Sequence, residues 1–187
     1  MNKKIIKEII SWVLVFGIAI LVALFINRFV LLNEKIPTGS MENTIMTGDK
    51  IMTFRLAYLF DDPKRGDIVV FPFPDDESVD YIKRIIGLPG EKVSIKDGVV
   101  FIDDEELVED YVREEWDYPK EYHFDSSAEY EASDGTKTFI VPEDSYFMMG
   151  DNRNNSEDSR FWTNKFVSKD KIKSKAFLRY PNFKWIK

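Results

Sequence analysis

The chain contains no cysteine and one histidine, His123, among its 187 residues. Without cysteine there is no thiol nucleophile, no disulfide and no Cys-ligated zinc. A single imidazole excludes a multi-histidine metal site, and neither a metal nor an organic cofactor is expected. Positive charge is scarce as well. The net charge is −7 and it is uneven: residues 1–32 carry Lys3, Lys4, Lys7 and Arg28 against Glu8, whereas the remainder holds 22 basic and 32 acidic side chains. An acidic main portion argues against a nucleic-acid partner, whose phosphates require a basic face. No internal repeat is visible, and the length fits one anchor plus one domain of ordinary size.

What the chain does have, at its start, is a long apolar run. Ile9 to Ile26 is free of charge, interrupted only by Ser11 and Gly17, and Phe29 to Leu32 extends it beyond Asn27-Arg28. About 20 such residues cross the ~30 Å hydrocarbon core as a helix, and Trp12 suits an interfacial position. Lys3, Lys4 and Lys7 outweigh Arg28, so the positive-inside rule places the N-terminus in the cytoplasm and the residues after about 33 outside. A removable secretory signal would have a shorter apolar core followed by a small-x-small site. Phe25-Ile26-Asn27-Arg28-Phe29 offers no such pair, and the run reads as an uncleaved anchor in 1–32.

Beyond the anchor the pattern becomes strand-like. Lys50–Phe54, Asp67–Phe73, Tyr81–Leu88, Lys92–Lys96, Val99–Ile102, Thr138–Val141, Ser145–Met149 and Ala176–Tyr180 are short β-rich runs separated by Gly and Pro signals. Asp97-Gly98 supplies the positive φ angles of a two-residue type I′ hairpin. The fold class is therefore mainly β: one transmembrane helix followed, over 33–187, by an all-β, barrel-like antiparallel domain. Residues 104–137 differ, being acidic and aromatic (Tyr111, Trp116, Tyr118, Tyr122) with weak periodicity, and read as an inserted cap or a long surface excursion. Met52–Phe60 reads equally as a core strand or as a segment dipping into the membrane interface.

Three polar features carry chemistry. Pro37-Thr38-Gly39-Ser40-Met41 places a serine in an open, Pro-led turn shortly after the anchor. A serine hydroxyl needs a base. His123 lies in the acidic excursion, where a surface or packing role outweighs a catalytic one, which leaves lysine. A lysine acts as a base only when its amine is neutral, and burial disfavours the charged form. Lys83 sits among strand formers in Val79–Ile86, and period 2 puts Tyr81, Lys83 and Ile85 on one face; pattern alone favours a lysine on the solvated face of an amphipathic strand. The third feature is Gly150–Arg160, eleven residues with no apolar side chain, richer in arginines and acids than a turn requires and suited to bracing a site.

With these motifs in hand, the chain resembles the bacterial type I signal peptidases, membrane-anchored serine proteases that remove signal peptides. The resemblance rests on the anchor, Pro-Thr-Gly-Ser-Met at 37–41, Gly-Asp-Ile-Val-Val-Phe at 66–71, Tyr-Ile-Lys-Arg-Ile-Ile-Gly-Leu-Pro-Gly-Glu at 81–91 and the 150–160 loop, in that order. It implies Ser40 as nucleophile, Lys83 as general base, and Ser156 hydrogen-bonded to the Lys83 amine. It further implies an oxyanion hole from the Ser40 N–H and the Thr38 hydroxyl, and an ion pair between Asp158 and Arg160. The implied partners are secretory preproteins with small residues at −1 and −3, and the lipid bilayer; the implied location is a single-pass cell-membrane protein with its catalytic domain outside. Two departures stand out. Glu42-Asn43-Thr44 lacks the family's usual proline after Ser-Met, and no glycine follows Arg160 within Phe161–Asn164, where asparagine can still adopt a left-handed backbone. A membrane-anchored binding module without catalysis and a self-cleaving regulator of the same Ser/Lys logic are the alternative classes; the membrane span argues against the second.

Overall fold

The computed structural model describes residues 3–112, 130–132 and 134–186. Its first element is helix α1 (Lys3–Phe25), continued by a π-helical turn over Ile26–Val30. At 1.5 Å per residue, α1 is about 34 Å long, enough for the apolar core of a bilayer. Trp12, Leu14, Phe16, Ile18 and Leu21 are all exposed around its circumference. A helix apolar on every face and buried against nothing fits a lipid environment rather than an aqueous one, and Lys4–Val30 is long and apolar enough to span a membrane.

The chain then passes directly into a sheet. Strand β1 (Leu31–Lys35) pairs antiparallel with β2 (Lys50–Phe54), from Leu31 opposite Phe54 to Lys35 opposite Lys50. Of Phe29–Leu32, expected to prolong the apolar stretch, Phe29 and Val30 do so in the π-helical turn, whereas Leu31 and Leu32 belong to a strand that precedes Lys50–Phe54, the expected first one. Leu31 and Leu32 are apolar enough for either role; the backbone partners waiting on β2 decide it. The remaining strands are β3 (Ile68–Phe73), β4 (Asp76–Gly87), β5 (Lys92–Lys96), β6 (Val99–Ile102), β7 (Glu105–Glu106), β8 (Tyr130–Glu131), β9 (Lys137–Ile140), β10 (Ser145–Met149), β11 (Phe166–Ser168), β12 (Ser174–Tyr180) and β13 (Lys184–Trp185). They form two antiparallel sheets, a larger one in the order β1-β2-β12-β3-β4-β10-β11 with β13 beside β12, and a smaller one in the order β7-β6-β5-β9-β8. The mainly-β, antiparallel architecture matches the expectation.

Strand β4 is the longest, at 12 residues. Its first half is an exposed hairpin arm. Its second half, flanked by β3 and β10, is buried on both faces, so the alternation normally seen on a half-solvated strand gives way to an unbroken buried run. The two faces serve different cores. Ile82 packs with Ile36, Met41, Ile45, Ile51, Ile68 and Val70; Ile85 packs with Val69, Phe71, Tyr146, Met148 and Trp162; Ile86 packs with Val93, Phe139, Val141 and Phe147 of the sheet junction. At that junction Gly87 admits no side chain, since a Cβ there would lie 2.5 Å from Val93 and 2.8 Å from Val141. The β5–β6 hairpin turns on Asp97 (φ 47°) and Gly98 (φ 81°), the expected type I′ pair.

Of Met52–Phe60, the core-strand reading holds only as far as Phe54, the end of β2. Ile51 and Thr53 alternate into the core from β2, whereas Leu56, Leu59 and Phe60 lie in an exposed loop, Phe60 at 93%. The borders of the acidic excursion join the smaller sheet as β7 and β8. Trp116, Tyr118, Tyr122 and His123, and with them most of the expected cap, lie outside the described residues.

Candidate active site

Ser40 begins a tight turn that packing holds in place. Glu42 N–H donates to the Gly39 carbonyl at 3.0 Å and Ile45 N–H to the Met41 carbonyl at 2.8 Å. Met41 and Ile45, both completely buried, pin this turn into the first core. The nucleophile loop is thus fastened by the apolar residues on its far side, leaving the serine edge to face β4. Asn43 within it has φ 86°, a conformation closed to proline, whose ring fixes φ near −65°. The missing proline is therefore accompanied by a backbone that proline could not adopt at that position.

Lys83 comes from the buried half of β4, opposite Val69 on β3. Its ammonium donates to Ser40 Oγ at 2.7 Å across 43 residues of sequence. Lys83 is 4% exposed and Ser40 6%. Burial among apolar strands pushes the Lys83 amine down to about 8 from an ordinary 10.5; the Asp158 carboxylate partly opposes this and the Arg160 guanidinium adds to it. A lysine at 8 is about one-tenth neutral at pH 7, against roughly 0.03% for an ordinary one. Tyr81, on the same face, presents its ring 5.1 Å from Lys83 Nζ. That ring stacks on Phe73 with centroids 4.5 Å apart and meets the edge of Trp162, an aromatic wall that excludes water from one side of the amine.

The third polar segment closes the other side. Asp158 and Arg160, both fully buried, form a two-point ion pair, Arg160 Nε to Oδ1 at 2.7 Å and NH2 to Oδ2 at 2.8 Å. Burial alone would raise the Asp158 carboxyl; the Arg160 charge, with donation from Gly150 N–H and Ser156 Oγ, more than offsets it and holds the group below the usual carboxylate range. Ser156 departs from expectation here. Its hydroxyl donates to Asp158 Oδ2 at 2.7 Å, and no Ser156–Lys83 hydrogen bond is found among the described residues. The carboxylate offers a full negative charge as acceptor, a stronger partner than an amine that must itself donate. Thr38, two residues before Ser40, is exposed, with its hydroxyl engaged by no group among the described residues.

Several residues that matter here were not singled out from sequence. Gly150 touches both ends of the site: a Cβ on it would lie 2.2 Å from Ser156 Oγ and 2.4 Å from the Ser40 carbonyl oxygen. Only glycine allows the loop to approach the nucleophile's backbone this closely. Asn152 then grips that backbone, its N–H donating to the Ser40 carbonyl and its amide to the Gly39 carbonyl, each at 3.1 Å. Arg84, adjacent to Lys83 but on the opposite face, forks onto Asp151 at 2.8 and 2.6 Å, and Thr44 Oγ1 donates to the same carboxylate at 2.5 Å. A signal for this pair existed: a second cation in a buried strand demands a counter-charge. Asn164, a candidate for left-handed backbone, has no positive φ and instead binds the Asp75 carboxylate through its backbone and side-chain N–H groups. No cluster of metal-ligating groups occurs among the described residues.

Comparisons with known proteins agree on one family. Residues 9–181 match the family model described as signal peptidase, peptidase S26. A probable signal peptidase I-2 of Synechocystis sp. is 35% identical over 167 residues, 87% of this chain and 68% of the relative. The signal peptidase I of Leptolyngbya laminosa is 34% identical over 171 residues, 88% and 75%. Among solved structures, a signal peptidase I from Enterococcus faecalis V583 is similar at 34% identity over 62% of this chain and 97% of that one, with a TM-score of 0.45. The chain belongs to the signal peptidase, peptidase S26, family.

Proposed function

We propose that this family member is a membrane-anchored serine endopeptidase that removes N-terminal signal peptides from exported preproteins, with Ser40 as nucleophile and Lys83 as general base. The observation that carries the reading is the 2.7 Å contact between Lys83 Nζ and Ser40 Oγ in a buried setting that depresses the amine. When Lys83 loses its proton the direction of that hydrogen bond reverses, and Ser40 donates. As Ser40 Oγ attacks the scissile carbonyl, its proton passes to Lys83 Nζ. The oxyanion that develops faces the Ser40 backbone N–H and the Thr38 hydroxyl; removing one such donor commonly costs about 3–4 kcal/mol of transition-state stabilisation. Lys83 then returns the proton to the departing amine, leaving an acyl-enzyme on Ser40. A water deprotonated by Lys83 attacks the ester and releases the mature protein's partner fragment, restoring the serine. Asp158, Arg160 and Ser156 act as supports: their buried ion pair and hydrogen bonds fix the loop that lies against Lys83.

Position supports the choice of substrate. Strand β1 begins nine residues before Ser40 and follows the anchor without a linker, so the site lies near the membrane surface, where the cleavage site of a signal sequence emerges. Leu59, Phe60, Phe183 and Trp185 are exposed and suit an interfacial setting. The excess of Lys3, Lys4 and Lys7 over Arg28 favours a cytoplasmic N-terminus and a catalytic domain outside the cell. Small side chains at −1 and −3 of the substrate fit an extended strand laid against the apolar face beside Lys83. The test is cleavage of a preprotein with an Ala-x-Ala site by the detergent-solubilised chain, beside Ser40→Ala and Lys83→Ala. Cleavage by the wild type that is lost in both folded variants supports the reading; activity surviving in Lys83→Ala overturns it.

A further inference from the structure

Among the described residues, the acidic excursion enters the site's support through Glu109 and Tyr111. Glu109, three residues past β7, accepts both terminal N–H groups of Arg153, at 2.7 and 2.5 Å. This pair is buried, Arg153 at 2% and Glu109 at 10% side-chain exposure. Arg153 is not an isolated partner: its Nε donates to the Gly150 carbonyl at 3.0 Å, and its own carbonyl accepts from Arg160 at 3.1 Å. Tyr111 completes the bracket. Its hydroxyl donates to Glu109 at 2.5 Å, and its ring lies 3.9 Å beneath the guanidinium of Arg84, the cation that holds Asp151. Burial, and after it the Glu109 charge, push the Tyr111 phenol up, so it remains a donor throughout the working range. Burial works against the Arg153 charge, and the Glu109 carboxylate more than compensates.

Both ends of the 150–153 turn are thereby held from the excursion, and this is the turn whose Gly150 and Asn152 bear on the Ser40 and Gly39 carbonyls. We infer that Glu109 is a positioning residue for the nucleophile: through Arg153 it sets the Gly150–Asn152 turn, and through that turn the orientation of Ser40 relative to Lys83. The first residues of the acidic excursion, Glu109 and Tyr111, are then a part of the catalytic apparatus rather than of a surface insertion. A two-point carboxylate–guanidinium fork suits this role, because it fixes direction as well as distance. The inference rests on Ser40 acting as proposed above, but its structural half is measurable without catalysis.

The experiment compares full-length, detergent-solubilised wild type with Glu109→Gln, which keeps the shape and removes the charge, and Glu109→Asp, which keeps the charge. Two readouts are taken: steady-state cleavage of an Ala-x-Ala preprotein, and backbone hydrogen exchange of the Gly150–Asn155 segment relative to β4. The expected result for Glu109→Gln is a fall in kcat of about tenfold or more with KM within twofold, since sub-ångström misplacement of a reacting group acts mainly on the rate. Exchange of Gly150–Asn155 should accelerate about tenfold while β4 is unchanged, and Glu109→Asp should recover most of both. Wild-type kcat and exchange in Glu109→Gln would overturn the inference, and so would equal acceleration across β4 and the turn, which would mark a general stability effect. A wild type that does not cleave would sink the proposed function, and the exchange comparison would still decide whether Glu109 sets the turn.

Discussion

Replacing Lys83 with methionine should make the protein more stable and inactive, and the size of the gain follows from the site. The wild type keeps an amine in a strand buried on both faces, and this depresses it from 10.5 to about 8. At about 1.4 kcal/mol per factor of ten, holding that amine protonated in the fold costs roughly 3 kcal/mol at pH 7. Methionine fills nearly the same volume without charge, but it leaves the Ser40 hydroxyl without its Lys83 partner, a loss of about 1 kcal/mol. The net expectation at pH 7 is a gain of roughly 2 kcal/mol. Because the folded-state value lies below the unfolded one, the unfolded chain binds the extra proton between about pH 8 and 10.5. Wild-type stability therefore rises with pH through that window and is flat below it. The advantage of Lys83→Met should accordingly shrink by about 2 kcal/mol between pH 7 and pH 9.5. Urea unfolding of the solubilised chain, followed by the fluorescence of Trp162 in its aromatic wall, measures both quantities. A variant less stable than wild type at pH 7, or an advantage independent of pH, would refute the premise that the fold holds this amine at a cost.

Three other outcomes are expected. If its exposed hydroxyl serves the oxyanion as proposed, Thr38→Val should lower kcat by a few hundredfold, or about 3–4 kcal/mol, with little change in KM or stability; steady-state kinetics and a thermal melt check both halves. Gly150→Ala should abolish cleavage, because the added carbon would meet the Ser40 carbonyl oxygen at 2.4 Å and Ser156 Oγ at 2.2 Å; unchanged activity would show that the loop can retreat without cost. Asp158→Asn should destabilise the fold by about 3–5 kcal/mol by leaving Arg160 buried without its two-point partner. Any residual activity should show its acid limb at lower pH, because the Asp158 charge is the largest of those that oppose the lowering of the Lys83 amine by burial.

Local pattern marks Ser40 and Lys83 as candidates, and the family resemblance pairs them. The Pro-led turn points to Ser40, although the serine is buried, at 6% exposure, rather than open as expected, since its hydroxyl faces Lys83. Alternation in Val79–Ile86 places Lys83 with Tyr81 and Ile85 on one face, and the structure adds that both faces of that strand are covered, which decides between a buried amine and a solvated one. Asp97-Gly98 was readable because the turn type depends on those two residues alone. Of the supporting ion pairs, only Asp158–Arg160 is foreseen, through the resemblance; the others are not, since their partners are distant in sequence: Arg84 meets Asp151 across 67 residues and Arg153 meets Glu109 across 44. Ser156 shows the same limit at short range, as the carboxylate two residues on takes its hydroxyl. Strand β1 was hidden for a different reason. Its leucines continue the composition of the anchor, and only the pairing with β2 reveals that the chain has left the helix. The glycine at 150 reads in sequence as an ordinary turn residue; the close approach that requires it involves Ser40, 110 positions earlier.

The central claim is that a neutral Lys83 activates Ser40, and the dependence of kcat/KM on pH for preprotein cleavage tests it most directly, because that ratio reports ionisations of the free enzyme. The account predicts a single-proton acid limb with its midpoint near pH 8, the value to which burial brings the amine. A limb near the ordinary lysine value, about 10.5, or a flat profile through pH 8, would contradict it.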